Sequence, residues 1–137
     1  METMKSMLIA ASGMRAQAER MRIIAENLAN ATSTAAKPGE DPYRRQIPVF
    51  KAELDRASGA QTVQMSGVVQ DTSDFREQYM PGHPAADERG YVKMPNVNSL
   101  VEMMDMREAQ RAYEANLNVI DNTRTMMART VDLLKRG

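Results

Sequence analysis

The sequence predicts a mainly α-helical protein whose long N- and C-terminal heptad helices form a coiled-coil-like pair, with an irregular, short-β-hairpin insert between them. Apolar residues near both ends recur at alternating spacings of three and four, as along a helix seam. All six prolines and five of the seven glycines lie within residues 31–95, where they disfavour long helices. Aromatic residues are scarce and the 13 methionines abundant, which favours burial along seams over a core of large aromatic residues.

These observations divide the chain into three regions. Residues 1–30 are predicted to form an N-terminal amphipathic helix, residues 31–95 an extended and β-rich middle region, and residues 96–137 a C-terminal amphipathic helix. The first and third regions are expected to form the core domain together. The periodicity leaves open whether the two helices pair within one chain or between chains.

The N-terminal helix is predicted from a heptad seam over more than three heptads. Its positions are Met4, Met7, Ala11, Met14, Ala18, Met21, Ala25 and Leu28. Two interpretations stay open: an ordinary amphipathic core helix, or a seam that pairs with another long helix, which we favour. The helix is expected to end near Asn30, because Asn tolerates a left-handed conformation and the Thr and Ser residues that follow bond their own backbone.

The middle region contains four short strand-like runs, at residues 46–51, 63–70, 75–80 and 90–94. Pro48 restricts the first run to an edge strand or an irregular segment, because proline cannot donate a ladder hydrogen bond. We expect extended segments and short hairpins here.

The C-terminal helix is predicted to begin with Asn98 or Ser99 as its N-cap, and Glu102 completes a capping box with Ser99. The apolar seam positions are Met103, Met106, Tyr113, Leu117, Ile120, Met127, Val131 and Leu134. Gln110 and Arg124 fall on the same seam, where polar residues favour one register.

Composition excludes several classes of function. The chain has no net charge and no cysteine, which argues against binding nucleic acid and against thiolate metal sites. The pair Arg44-Arg45 is too small for a nucleic-acid patch and is expected on a solvated or inter-subunit face. The single histidine, His83, is expected to be a solvated loop residue. We therefore expect no enzyme activity, cofactor, metal or small-molecule substrate, and neither a membrane span nor a cleaved signal peptide.

Paired terminal helices around an irregular middle suit a subunit that becomes ordered on assembly, because such a chain buries little surface alone. A head-to-tail interface that does not close would build a helical tube. The alternative, from a different class, is a soluble coiled-coil adaptor or export chaperone that binds one partner helix.

Several separated motifs resemble those of bacterial flagellar rod and hook proteins. The N-terminal ones are IAASGMRAQ at residues 9–17 and ENLAN at residues 26–30, which includes Asn27, Leu28, Ala29 and Asn30. YMPGHP at residues 79–84, DERGYV at 87–92 and PNVN at 95–98 narrow the resemblance to proximal-rod members, and RAYEAN at 111–116 resembles the shared C-terminal helix. The chain departs from the wider group after Thr32, because the aromatic residue of the following turn comes only at Tyr43.

The resemblance implies a structural subunit of the proximal rod of the flagellar basal body, part of the drive shaft that transmits torque from the motor to the hook. It implies assembly with copies of itself and with other flagellar rod proteins. It also implies passage through the flagellar type III export apparatus, without a cleaved signal peptide, to a periplasmic location.

Overall fold

A computed structural model describes residues 2–137 and contains two long helices and four strands. In chain order these are α1 (Glu2–Ala29), β1 (Gln46–Asp55), β2 (Ala60–Gln70), β3 (Arg76–Tyr79), β4 (Tyr91–Met94) and α2 (Ser99–Arg136). Two terminal helices with a small strand-containing insert agree with the predicted architecture. The helices have 28 and 38 residues and hold just under half of the chain, so a mainly α class is not confirmed. Residue 1, which opens the predicted 1–30 region, lies outside the described residues.

The strands form two separate two-stranded sheets, β1 with β2 and β3 with β4. In the second sheet the strands are antiparallel, and Arg76 lies opposite Met94 while Tyr79 lies opposite Tyr91. The turn between β1 and β2 ends at Gly59, whose φ of 75° suits glycine. All four predicted strand-like runs are confirmed, and Pro48 is tolerated within β1 because both strands of a two-stranded sheet are edges.

Contact clustering divides the chain into two compact units. The first unit contains residues 2–21, Val49–Gly67 and Arg107–Gly137. In it α1 and α2 approach closely at Gly13, where an added Cβ would lie 2.7 Å from Asn116 Nδ2. The Ser12 hydroxyl donates to the Ile9 carbonyl at 2.8 Å and accepts from the Val63 amide of β2 at 3.2 Å. Small residues therefore let α1 pack closely against both neighbouring elements.

The second unit contains Arg22–Pro48 and Val68–Met106. Its apolar core consists of Ala85, Val92 and Met94, against which Ala35, Met80 and Ala86 pack. Gly90 has φ of 87°, and a Cβ there would lie 2.8 Å from the Tyr79 ring, so the turn before β4 requires glycine. Tight turns thus bring the residues of this small core together.

The end of α1 differs from the expected left-handed closure. No residue other than glycine has positive φ within residues 2–137. Instead, the Asn30 amide donates to the carbonyls of Glu26 and Asn27, and Asn30 Nδ2 donates to the Glu26 carbonyl at 2.9 Å. Asn30 thus terminates the helix with its side chain, which satisfies a carbonyl that would otherwise lack a partner.

Candidate functional site

The second unit contains a buried polar junction centred on Asn27, near the end of α1. Asn27 Oδ1 accepts from the Tyr43 hydroxyl at 2.7 Å and from the Gln46 amide at 2.9 Å. Its Nδ2 donates to the Gln46 carbonyl at 2.9 Å and to Glu102 Oε2 of α2 at 3.5 Å. A side-chain amide has two donor and two acceptor positions, and all four are used. Asn27 therefore joins the end of α1, the start of β1 and the start of α2.

Arg45 and Glu102 form the charged part of this junction. Glu102 is 1% exposed, and its carboxylate accepts a hydrogen bond from Arg45 Nε. The same guanidinium contacts Asp71 Oδ2 at 3.2 Å and Asp105 Oδ2 at 3.9 Å. Burial lowers the pKa of Arg45, but the bonds and negative charges of Glu102 and Asp71 outweigh that effect, so its pKa is raised. The buried carboxylate is thus compensated by a cation that stays charged.

Asn96 and Asp71 extend the junction to the loop before β3. Asn96 Oδ1 accepts from the Arg45 amide at 2.7 Å, and its Nδ2 donates to the Asp71 carbonyl at 3.0 Å. The backbone and side-chain bonds of Ser73, followed by Arg45, lower the pKa of Asp71 despite partial burial. Arg44 donates to the Asp71 carbonyl at 2.8 Å and stacks over the Phe75 ring at 4.2 Å.

The structure changes three interpretations of individual residues. Arg44 and Arg45 do not lie on a solvated face, because both are half-buried in this network within the chain. Glu102 does not complete a capping box, because its carboxylate points to Arg45 and Asn27. His83 is half-buried, and its ring accepts from the Ala85 amide at 2.9 Å and bonds the Thr34 hydroxyl at 3.2 Å. These two bonds use both nitrogens of the imidazole ring and hold the loop in place.

The predicted seam residues lie in different environments in the described chain. Half-buried positions are Met7, Ala11, Met14, Met21 and Leu28 of α1 and Met106, Tyr113 and Ile120 of α2. Exposed positions are Met4, Ala18 and Ala25 of α1 and Met103, Leu117, Met127, Val131 and Leu134 of α2. The buried residues of α2 are Glu102, Ala109 and Thr123, which lie beside that seam and not on it. The seam therefore stays a prediction about assembly surfaces.

The second half of α2 carries a series of exposed apolar residues in the first unit. We define the α2 face as Leu117, Val119, Met126, Met127, Val131, Leu133 and Leu134, all exposed. Leu134 is 76% exposed. Exposed apolar residues that recur along one helix are candidates for an interaction site. No helix within residues 2–137 is long and apolar enough to cross a membrane.

The residues of the ENLAN motif contribute unequally. Asn27 is fully buried in the junction, Leu28 is half-buried and Ala29 is exposed, while Asn30 ends the helix. Sequence reasoning missed Tyr43 and Arg45 as junction residues. The sequence contains one indirect signal: Asn27 and Asn96, which bond Tyr43 and Arg45, both belong to motifs. No local pattern marks Arg45, because its partners are 26 and 57 residues away.

Comparison with known proteins points to one family. Residues 88–133 match a family model described as flagellar basal body rod FlgEFG protein C-terminal. The chain is 55% identical to the flagellar basal-body rod protein FlgC of Agrobacterium fabrum, over 93% of this chain and 91% of that protein. It is 40% identical to the FlgC of Salmonella typhimurium over 91% and 92% of the two chains, and 38% identical to that of Aquifex aeolicus over 98% and 99%.

Proposed function

Because the chain belongs to the FlgC family and is a structural subunit of the flagellar basal-body rod, we propose that it assembles through its two terminal helices. In this proposal the helices of residues 1–30 and 96–137 form the core axial domain. They contact copies of the same chain and other rod proteins in the proximal rod. The assembled rod is the drive shaft that transmits torque from the motor to the hook.

The observation that carries this proposal is the exposed α2 face. Five of the predicted α2 seam residues are exposed, and four of them belong to this face: Leu117, Met127, Val131 and Leu134. Covering such residues with a partner helix removes apolar surface from water at about 25 cal/mol per Å². The half-buried seam residues of α1 leave only part of their side chains for a partner. We therefore assign the α2 face the larger share of contacts between subunits.

The polar junction supports a mechanical role. Asn27 and Glu102 link the end of α1 to the start of α2, and all four hydrogen-bonding positions of the Asn27 side chain are used. Satisfied buried networks favour one arrangement over others, because each alternative leaves a polar group unpaired. A subunit that transmits torque benefits from such a stiff link between its helices.

Export as an unfolded chain through the flagellar type III apparatus, without a cleaved signal peptide and to the periplasm, is part of the same proposal. It is supported by the small size of the core. The most buried apolar residues include five alanines, and no aromatic residue is among them. A core of small residues contributes little hydrophobic free energy per residue, which lowers the cost of unfolding before export.

The test places the same added charge on two sides of α2. We expect Val131→Asp to remove the chain from detergent-extracted, salt-washed hook–basal bodies. The reason is that an unpaired charge buried in an interface costs about 3 kcal/mol or more. Thr125→Asp is the control, since Thr125 is exposed and bonds only the Asp121 carbonyl of its own helix. Circular dichroism of the purified variants should show equal helix content.

The outcomes separate the alternatives. Retention of Val131→Asp in basal bodies at the level of Thr125→Asp would exclude the α2 face as an assembly surface. If the unmodified chain stayed wholly in the cytoplasmic fraction of flagellated cells, the adaptor or export-chaperone alternative would replace the rod assembly proposed here.

A further inference from the structure

The total charge of zero conceals a local positive excess at the end of α2. We define the basic segment as residues 124–136, the last turns of this helix, all of which are exposed. The segment contains four basic residues and one acidic residue, whereas the remaining chain contains 14 basic and 17 acidic residues. The cations are Arg124, Arg129, Lys135 and Arg136. Within residues 2–137 none of these four forms an ion pair, so their charges are available to a partner.

Apolar residues of the basic segment lie on one side of the helix. Successive residues of an α-helix are about 100° apart, which places five exposed apolar side chains within one arc of about 160°. These are Met126, Met127, Val131, Leu133 and Leu134. Thr130 falls within the same arc, but its hydroxyl donates to the Met126 carbonyl at 3.0 Å. Because that hydroxyl is already bonded, covering Thr130 with an apolar environment costs little.

The cations border this apolar arc on both sides. They fall into two pairs, one at each border: Arg124 with Lys135, and Arg129 with Arg136. Asp132, the single acid, lies in the middle of the opposite, polar side. Long basic side chains keep their charged ends in water or among headgroups while their stems lie along apolar surface. An apolar arc with cations at both borders is typical of helices that lie in the surface of an anionic bilayer.

The helices of a second copy do not offer free negative charge to both borders. α1 contains four basic and three acidic residues. In the earlier part of α2, Glu102 and Asp105 contact Arg45. Glu108 contacts Arg20, and the other two acids there are accompanied by two arginines. Charge complementarity selects a partner only where the opposite charge is free. A bilayer with anionic headgroups supplies negative charge on both sides of the helix and hydrocarbon beneath it.

We propose that the basic segment of the unassembled chain binds the surface of a bilayer that contains anionic phospholipid. The helix lies in the plane of the headgroups, with Met127, Leu133 and Leu134 against the acyl chains and the four cations at the phosphates. The proposed assembly buries the same apolar residues between subunits, so lipid binding and assembly compete for them. The inference itself does not depend on the proposed function, because it concerns the chain before assembly.

The first experiment measures binding of the purified full chain to large unilamellar vesicles. One set is pure phosphatidylcholine, and the other has two parts phosphatidylcholine to one part phosphatidylglycerol. Each basic residue at an anionic surface contributes about fivefold in affinity, so we expect at least about tenfold stronger binding to the anionic vesicles. Raising the salt concentration should weaken this binding, because salt screens charges at a surface.

Two pairs of substitutions locate the charges responsible. We expect Arg129→Gln with Arg136→Gln to lower binding to the anionic vesicles by about tenfold or more. The control, Arg107→Gln with Arg111→Gln, removes the same charge from exposed positions of α2 outside the basic segment. It should lower binding by less than about twofold, because these positions lie more than a Debye length from the segment. Circular dichroism should show equal helix content in both variants.

A further variant tests the apolar contact. Leu134→Gln should lower binding to the anionic vesicles several-fold, because one side chain no longer enters the acyl region. Leu100→Gln is the control, since Leu100 is 74% exposed and Leu134 is 76% exposed, but Leu100 lies at the start of α2. It should leave the binding unchanged.

The outcomes separate lipid from protein as the partner. Equal binding to the two kinds of vesicle, or equal loss for the two arginine pairs, would overturn the proposal. If the chain binds no vesicles and the Arg129 and Arg136 changes instead remove it from hook–basal bodies, the basic segment is a protein contact and the proposal is wrong. The proposed function would survive each of these results, provided that the unmodified chain still co-purified with basal bodies.

Discussion

At the scale of single residues, Asn27 shows why a small amide is needed where α1 ends. Its side chain accepts from Tyr43 and Gln46 and donates to Gln46 and Glu102. Aspartate at this position would lose both donors and face the carboxylate of Glu102. Tyr43 contributes a neutral donor, because burial and then the charges of Glu26 and Glu102 raise its pKa. The junction therefore depends on donor and acceptor identity as well as on size.

The energetic importance of the junction is tested by Glu102→Gln. This change keeps the shape of the side chain but leaves Arg45 without its most buried counter-charge. We expect the free energy of unfolding to fall by about 2–3 kcal/mol, since hydrogen bonds to charged buried groups contribute about that much. Urea denaturation of the purified chain, followed by circular dichroism, measures the change.

Glu108→Gln is the matched control on the same helix. Glu108 is largely exposed and lies 3.7 Å from Arg20, so the loss should be below about 1 kcal/mol. Equal decreases in the free energy of unfolding for the two variants would show that the buried Arg45–Glu102 pair stabilises the chain no more than an exposed ion pair does.

Residue-level roles were only partly predictable from the sequence. Glu102 is spaced correctly for a capping box, and that local pattern suggested a local bond. In the structure Glu102 instead bonds Arg45, which is 57 residues away in the sequence. The guanidinium of Arg45 is a cation, so its bond to the carboxylate is stronger than one from a neutral backbone amide. Long-range pairs of this kind leave no periodic signal in a single sequence, so Tyr43 and Arg45 were missed.

At the scale of elements, the sequence predicted both helices and all four strand runs, because heptad spacing, proline positions and strand-forming residues are local signals. At the start of α2 the sequence predicts either Asn98 or Ser99 as the N-cap. The structure selects Asn98, whose Oδ1 accepts from the Leu100 amide at 3.1 Å and the Val101 amide at 3.4 Å. Asparagine is among the strongest N-cap residues, which agrees with this choice.

Paired alanine substitutions test this assignment of the cap. We expect Asn98→Ala to lower the free energy of unfolding by about 1 kcal/mol, because two amides of the first turn lose their acceptor. Ser99→Ala should change it by less than about 0.5 kcal/mol, since Ser99 is exposed and does not cap the helix. Thermal or urea unfolding of both variants measures the difference, and a larger loss for Ser99→Ala would contradict the assignment.

At the scale of the whole molecule, burial is distributed unevenly along α2. Glu102 and Ala109 are almost inaccessible to solvent, whereas every residue from Arg124 to Gly137 is exposed. Segments with few buried contacts open at a lower free energy than the segments that form the core. A single helix therefore combines a stable start with an end that gains contacts only in an assembly.

Hydrogen exchange of the purified, unassembled chain tests this division. We expect the amides of residues 23–27 and 102–109 to exchange at least about tenfold more slowly than those of residues 124–136, because their opening requires the junction to break. In isolated hook–basal bodies, residues 124–136 should become protected as the α2 face is covered. The Glu102→Gln variant is the control: it should speed exchange at residues 23–27 and leave residues 124–136 unchanged. Uniform exchange along α2 in the unassembled chain would contradict the division, and unchanged exchange at residues 124–136 after assembly would argue against the α2 face as a contact between subunits.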